Sequence, residues 1–205
     1  MTIFLLVRHG ETDWLGERLA GRLPDIHLNA KGRENAELLG AMLKPLELAA
    51  VYSSPLERAM ETAEPAANAA GKSILRSDLL QEVDFGELAG KPFSDLRETE
   101  IWRLAHRNPA EVTYPGGESL VEAQARVVRA IEEIHAQRET GIVALFTHSD
   151  TIRLAVAHYL RMPLLAYHAL VADPASVSVL YYAKQTVHIA GLNVPAGSRL
   201  LMKPE

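Results

Sequence analysis

The sequence predicts an α/β fold, a three-layer α/β/α sandwich around a mostly parallel sheet, and three observations predict it. Short β-rich apolar runs alternate with longer stretches of helical period. The 205 residues are 48% hydrophobic and 23% charged, which is enough to bury the core of one domain. Polar residues that carry chemistry stand directly after the apolar runs, where a parallel sheet presents its ligand site.

The elements follow in order. Residues 2–7 form an unbroken apolar strand that gives way at once to Arg8, His9, Gly10 and Glu11. A helix over 29–43 lines up Ala36, Leu39 and Leu43 on one face. A strand over 49–53 leads into a helix over 54–70, with Ser54 as N-cap, Pro55 at the first helical position and Glu57 three residues after the cap. A short strand covers 73–75. The rhythm then breaks from 84 to 117, where Gly86, Gly90, Pro92, Pro109, Pro115 and Gly116 surround one amphipathic piece over 93–107. This stretch reads as a lid-like insertion over one end of the sheet, inside a single domain spanning 1–205. A long helix over 118–137 turns Leu120, Gln124, Val127, Ile131 and Ile134 inward. A strand over 142–147 and a helix from about 150 to 160 follow. Strands over 177–182 and 186–189, joined by Ala-Lys-Gln, read as a hairpin.

Composition excludes several classes of function. The formal net charge is -5 and there is no basic stripe, so neither nucleic acid nor an anionic membrane is an expected partner. The absence of cysteine removes disulfides, thiol catalysis and cysteine-held metals. The apolar start is too short for a signal peptide and has no basic region before it. No apolar run approaches the roughly 20 residues that span a bilayer. The expectation is a cytoplasmic protein.

Arg8 and His9 follow the first strand, Arg58 lies early in the helix after the second, and Thr147, His148 and Ser149 follow the strand over 142–147. A lone histidine or arginine in such a place is an ordinary surface group. Two of each at one sheet edge are a site. Arginine offers fixed planar donors suited to phosphate oxygens. Histidine attacks phosphorus or donates a hydrogen bond near neutral pH. Gly10 allows close approach of the backbone. No His/Asp/Glu cluster has the spacing of metal ligands, so no metal and no cofactor are expected.

These residues also carry a resemblance. "LLVRHGETDW" closely resembles the signature of the histidine phosphatase superfamily, the phosphoglycerate mutase-like proteins. "YSSPLERAMETAEP", "LLQEVDFGELAG", "PGGESLVEAQARV" and "LFTHSDTIRLAVAHYL" resemble its later blocks in the same order, so that the likeness covers roughly residues 3 to 182. It implies a phosphoglycerate mutase-like fold and a metal-independent phosphatase acting on a small phosphomonoester. By this resemblance His9 is the nucleophile that forms a phosphohistidine. Arg8, Arg58 and His148 bind the phosphoryl oxygens, and Glu82 protonates the leaving oxygen and then activates water. Asp84 is a rival acid, two residues from Glu82. Thr12 lines the phosphate loop. Arg18 and Gly21 belong to a segment that closes over the substrate, Trp14 shapes that loop, and Arg103, Arg107, Trp102 and His106 stand where they could select the rest of the substrate.

The chain departs from the family pattern at two places. Leu15 stands where an asparagine often supports the phosphate pocket, which removes one hydrogen bond. Ser149 and Asp150 follow the second histidine, where the family often has glycines, and a role capping the following helix accounts for Asp150. The segment over 86–117 lacks the adjacent arginines that hold substrate in phosphoglycerate mutases, which favours hydrolysis over transfer. Mutase-type phosphoryl transfer and a non-catalytic phosphate-binding regulatory protein are the alternatives. The final hairpin offers an edge for a homodimer.

Overall fold

The computed structural model describes residues 1–138, 140–183 and 186–200. In chain order the strands are β1 (Thr2–Arg8), β2 (Ala50–Ser53), β3 (Ile74–Arg76), β4 (Gly141–Thr147), β5 (Ser176–Ala183) and β6 (Thr186–Pro195). The helices are α1 (Ala30–Leu43), α2 (Glu57–Ala70), α3 (Phe93–Leu96), α4 (Glu100–Arg107), α5 (Leu120–Gln137) and α6 (Ser149–Tyr159). The strands form one sheet in the order β3-β2-β4-β1-β5-β6. The pairs β1–β4, β2–β4 and β2–β3 are parallel, and β5 and β6 run antiparallel. Residues 184–185, which hold the lysine and glutamine of the expected turn, lie outside the described residues, but the pairing of β5 with β6 is that of the expected hairpin.

The uninterrupted apolar run of β1 reflects burial on both faces. Leu5 and Val7 pack with Leu39 and Leu43 of α1 and with Ala63, Ala66 and Ala67 of α2. Phe4 and Leu6 face the other way, toward Val127, Ile131 and Ile134 of α5 and Ile152, Ala155 and Val156 of α6. Alternation along the strand thus builds the two outer layers. Phe4, Leu5 and Leu6 are almost wholly enclosed, each contributing on the order of 1.5–3 kcal/mol.

The register brings the strand ends level. Arg8 of β1 pairs with Thr147 of β4, and Ser53 of β2 with Phe146. The ladder continues one step further, because the His9 amide donates to the Thr147 carbonyl at 3.0 Å and the Ser54 amide to the Phe146 carbonyl at 2.9 Å. His9, Ser54 and His148 therefore leave the sheet side by side.

Three local expectations need correction. The helix expected from Ser54 begins at Glu57, with no side chain capping it, because the Ser54 hydroxyl is engaged by His148. The single amphipathic piece over 93–107 is two helices: Thr99 N-caps α4 by accepting from the Trp102 amide, and its hydroxyl donates to the Leu96 carbonyl at 2.6 Å. Asp150 does not cap α6. His148 occupies the cap position, and Asp150, in the first turn, bonds Arg153 instead. The segment over 84–117 packs a core of its own, in which Leu96 and Val112 are fully buried, against Leu120 and Ala123 of α5 and Leu154 of α6.

One close approach fixes the loop after β1. A Cβ on Gly10 would lie 2.7 Å from the Gly32 carbonyl oxygen, and a Cβ on Gly32 only 2.1 Å from the Glu11 carbonyl oxygen. Helix propensity alone makes Gly32→Ala stabilising by about 1 kcal/mol. The backbone contact makes it destabilising by about 1–3 kcal/mol. Urea unfolding decides between the two by the sign of the change, and a loss of stability is expected.

Candidate active site

A cavity of about 270 Å³ opens at the sheet edge, with Arg8, His9, Thr12, Gly21, Arg58 and Glu82 in its wall. His148 stands behind His9, fully buried, with ring centroids 5.2 Å apart. The structure thus gathers at one place the residues expected from three strand ends, a loop and a helix.

His9 is held in one tautomer. Its Nδ1 lies 2.7 Å from the Gly10 carbonyl oxygen, which can only accept, so Nδ1 carries the hydrogen and Nε2 keeps its lone pair. Burial, then the positive charges of Arg58 and Arg8, hold its pKa well below 6.5. His148 is depressed by burial and by the same arginines. Its Nε2 lies 2.8 Å from Ser54 Oγ, which accepts from the Leu56 amide at 3.4 Å and so can give its own proton to Nε2. That arrangement leaves the hydrogen on Nδ1.

Arg58 is 1% exposed. It donates through Nη2 to the Gly21 carbonyl at 2.6 Å and through Nη1 to the Leu23 carbonyl at 3.4 Å. Burial lowers its pKa to about 10, a value that leaves it charged at neutral pH. Gly21 adopts φ +52°, which favours glycine, and an added Cβ would lie 3.2 Å from the Phe85 ring. Arg8 donates to the Ala172 carbonyl at 2.6 Å. Thr62 links the loop to the helix: its hydroxyl accepts from the Gly10 amide and donates to the Arg58 carbonyl. Three buried donors, Arg8 Nε, Arg58 Nε and His148 Nδ1, have no hydrogen-bond partner among the described residues. Unsatisfied buried donors are costly, and an anion held against the two arginines is the kind of group that would offset that cost.

Glu82 faces these donors. Its Oε1 accepts from the amides of Val83 and Thr151 and from the Thr151 hydroxyl, and its Oε2 from the Asp150 amide at 3.4 Å. Burial, then the charge of Asp150, raises its pKa, against the pull of these bonds and of Arg58. Its carbonyl accepts from Arg22 Nε at 2.8 Å and Arg126 Nη2 at 3.2 Å, and both arginines are tied to Glu118 Oε1 at 2.7 Å. Asp84, the rival acid, is outside the cavity wall. It pairs with Arg22 and accepts from the Gly86 amide.

The second shell of expectations divides. Trp102 and His106 line the cavity, whereas Arg103 and Arg107 turn outward to Glu98 and Glu100. Trp14 and Arg18 line the mouth, with the Arg18 guanidinium 5.9 Å from the Trp14 ring. Leu15 also lines the mouth, 42% exposed. The sequence reading missed Ser54, Thr62, Thr151, Tyr114, Tyr167, His168 and Arg153. The helix spacing of Asp150 and Arg153, three residues apart, was the one signal available for the last of these.

Comparison with known proteins gives one consistent answer. The sequence profile of the histidine phosphatase superfamily (branch 1) matches residues 4–195. Phosphoserine phosphatase 1 of Hydrogenobacter thermophilus is 30% identical over 196 residues, covering 95% of this chain and 93% of that protein. The probable phosphoglycerate mutase GpmB of Salmonella choleraesuis is 33% identical over 179 residues, covering 86% of this chain and 83% of that protein. The native structure of a mycobacterial glucosyl-3-phosphoglycerate phosphatase superposes with a TM-score of 0.84 at 26% identity, covering 94% of this chain and 98% of that one.

The donor geometry predicts that inorganic phosphate binds and that Arg58→Ala weakens it by about 1.5–3 kcal/mol, roughly tenfold to a hundredfold in Kd. Titration calorimetry of both proteins checks this. Equal affinity would remove Arg58 from the anion site.

Proposed function

This chain belongs to the histidine phosphatase superfamily, and on that premise we propose that it hydrolyses a small phosphomonoester through a phosphohistidine on His9. The observation that carries the reading is the set of three unpartnered buried donors around a histidine whose Nε2 holds a lone pair.

In the first step the Nε2 lone pair of His9 attacks phosphorus as the bond to the ester oxygen breaks. Arg8, Arg58 and the Nδ1 hydrogen of His148 stabilise the charge on the three peripheral oxygens. Glu82 gives its proton to the departing oxygen, so that a neutral alcohol leaves. In the second step water attacks the phosphohistidine. Glu82, now a carboxylate, takes a proton from that water, the N–P bond breaks, and phosphate and neutral His9 are regenerated. Thr12 and the Gly21 loop help bind the phosphoryl group, Gly21 by holding Arg58. The positive charge this chemistry needs comes from the arginines, so the reading requires no metal and no cofactor.

The same reading takes residues 1–205 as one domain, with 84–117 as a lid over the cavity. It is a cytoplasmic enzyme that meets neither nucleic acid nor membrane, and β6, the edge strand of the sheet, is the surface for a homodimer. No described helix is long and apolar enough to cross a membrane. Mutase-type transfer is the second reading, favoured by the likeness to the probable phosphoglycerate mutase. The outward pairing of Arg103 and Arg107 weighs against it.

His9→Ala is expected to lower phosphate release at least about a thousandfold with the fold intact, chelator present throughout. Retained activity would end the phosphohistidine mechanism, and loss of wild-type activity in chelator would bring in a metal. Isomerisation of 3-phosphoglycerate without release would select the mutase. His9 is neutral, the form that attacks, above its depressed pKa, and Glu82 holds its proton below its raised one. The kcat/KM profile therefore falls on the acid side below 6.5, the ordinary histidine value, and on the alkaline side as Glu82 ionises. Glu82→Gln is expected to remove the alkaline limb, and to slow alkyl phosphates far more than p-nitrophenyl phosphate. An unchanged alkaline limb, or equal slowing of both substrates, would take the acid role away from Glu82.

A further inference from the structure

The part of the cavity beyond Glu82 holds a charged pair that the two chemical steps do not use. Asp150 and Arg153 lie one turn apart on α6 and bond each other, and both line the cavity. Their side chains are 17% and 20% exposed. The Arg153 guanidinium lies 5.2 Å from the centre of the Tyr167 ring. Its Nε is buried without a hydrogen-bond partner among the described residues. Asp150 bonds Arg153 through Oδ1, and no hydrogen bond to its Oδ2 is found among the described residues. Arg153 Nη1 likewise has no hydrogen bond among the described residues, and neither it nor Asp150 Oδ2 is among the fully buried atoms, so a donor and an acceptor remain beside each other in the cavity wall.

Position makes the pair relevant to the leaving group. The Asp150 amide donates to Glu82 Oε2 at 3.4 Å, so the pair adjoins the carboxyl proposed to protonate the departing oxygen. An alcohol that takes its proton from Glu82 lies within reach of both side chains. The cavity is only about 270 Å³, and Tyr114, Tyr167, Trp102 and His106 close its sides. That volume takes a phosphoryl group and an alcohol of a few carbons.

Resting on the phosphatase reading, we propose that Asp150 and Arg153 select the alcohol part of the substrate and that this part is an α-amino acid, so that the enzyme acts on small O-phosphoamino acids. The substrate carboxylate bonds Arg153 and its ammonium bonds Asp150. A neutral sugar or glycerol body finds the two charges paired with each other and has no charge to offer to either. A carboxylate alone has to approach Asp150, which a zwitterion turns from an opponent into a partner.

The test is kcat/KM on a matched series. Phosphoserine carries both charges, 3-phosphoglycerate has a hydroxyl in place of the ammonium, phosphoethanolamine lacks the carboxylate, and glycerol phosphate lacks both. Wild-type enzyme is expected to prefer phosphoserine to each of the others by at least about tenfold. Arg153→Gln is expected to cut the phosphoserine to phosphoethanolamine ratio about tenfold or more. Asp150→Asn is expected to do the same to the phosphoserine to 3-phosphoglycerate ratio. Ratios near one in the wild type, a preference for 3-phosphoglycerate, or ratios unmoved in both variants would overturn the assignment. Where a variant does not fold by circular dichroism, Arg153→Lys and the wild-type ratios decide. His9-dependent turnover of p-nitrophenyl phosphate separates the two levels. Its presence without discrimination sinks this inference alone, and its absence sinks the phosphatase reading together with it.

Discussion

Positive charge held below the surface, on two arginines that have no ion pair among the described residues, is the constraint on which the site depends. Arg58 is almost wholly buried, and Arg8 and two histidines in edge-to-face contact lie close enough to feel its charge. Four cations in that space would not be tolerated. The fold resolves this by keeping both histidines neutral and by giving each guanidinium a backbone carbonyl to bond. What is left over is a set of unpartnered donors on Arg8, Arg58 and His148, and both arginines stand in the cavity wall. The parallel pairing of β1 with β4 fixes Arg8, His9 and His148 at the ends of two hydrogen-bonded central strands.

Glu82 occupies the opposite electrical position. Four hydrogen bonds from the first turn of α6 and the adjoining chain favour its charged form, and burial beside Asp150 favours its neutral form. A carboxyl under two opposed influences of this kind changes protonation at small cost. The proposed mechanism, in which one group is acid and then base within a turnover, draws on that property.

Much of this arrangement was legible in the sequence. Short unbroken apolar runs and polar residues directly after them are local signals, and they gave β1, β2 and β4 together with Arg8, His9 and His148. The capping pattern at Ser54 misled because a serine hydroxyl serves a helix terminus and a histidine ring equally well, and only the sheet register decides which lies nearer. Arg153 and the aromatic wall were missed for a related reason. They reach the cavity from α6 and from the segment over 84–117 by packing contacts that have no sequence period. Asp84 could be set aside only when Arg22 was seen to hold it.

The hold on Glu82 has a consequence for how the position can change. Arg22 and Arg126 grip its main-chain carbonyl, and Glu118 secures both arginines. The scaffold therefore anchors residue 82 twice, its main chain from Arg22 and Arg126 and its carboxylate from the amides of Val83, Asp150 and Thr151. The two anchors are separate, so a side-chain change that keeps an acceptor for those amides leaves the hold on the main chain in place.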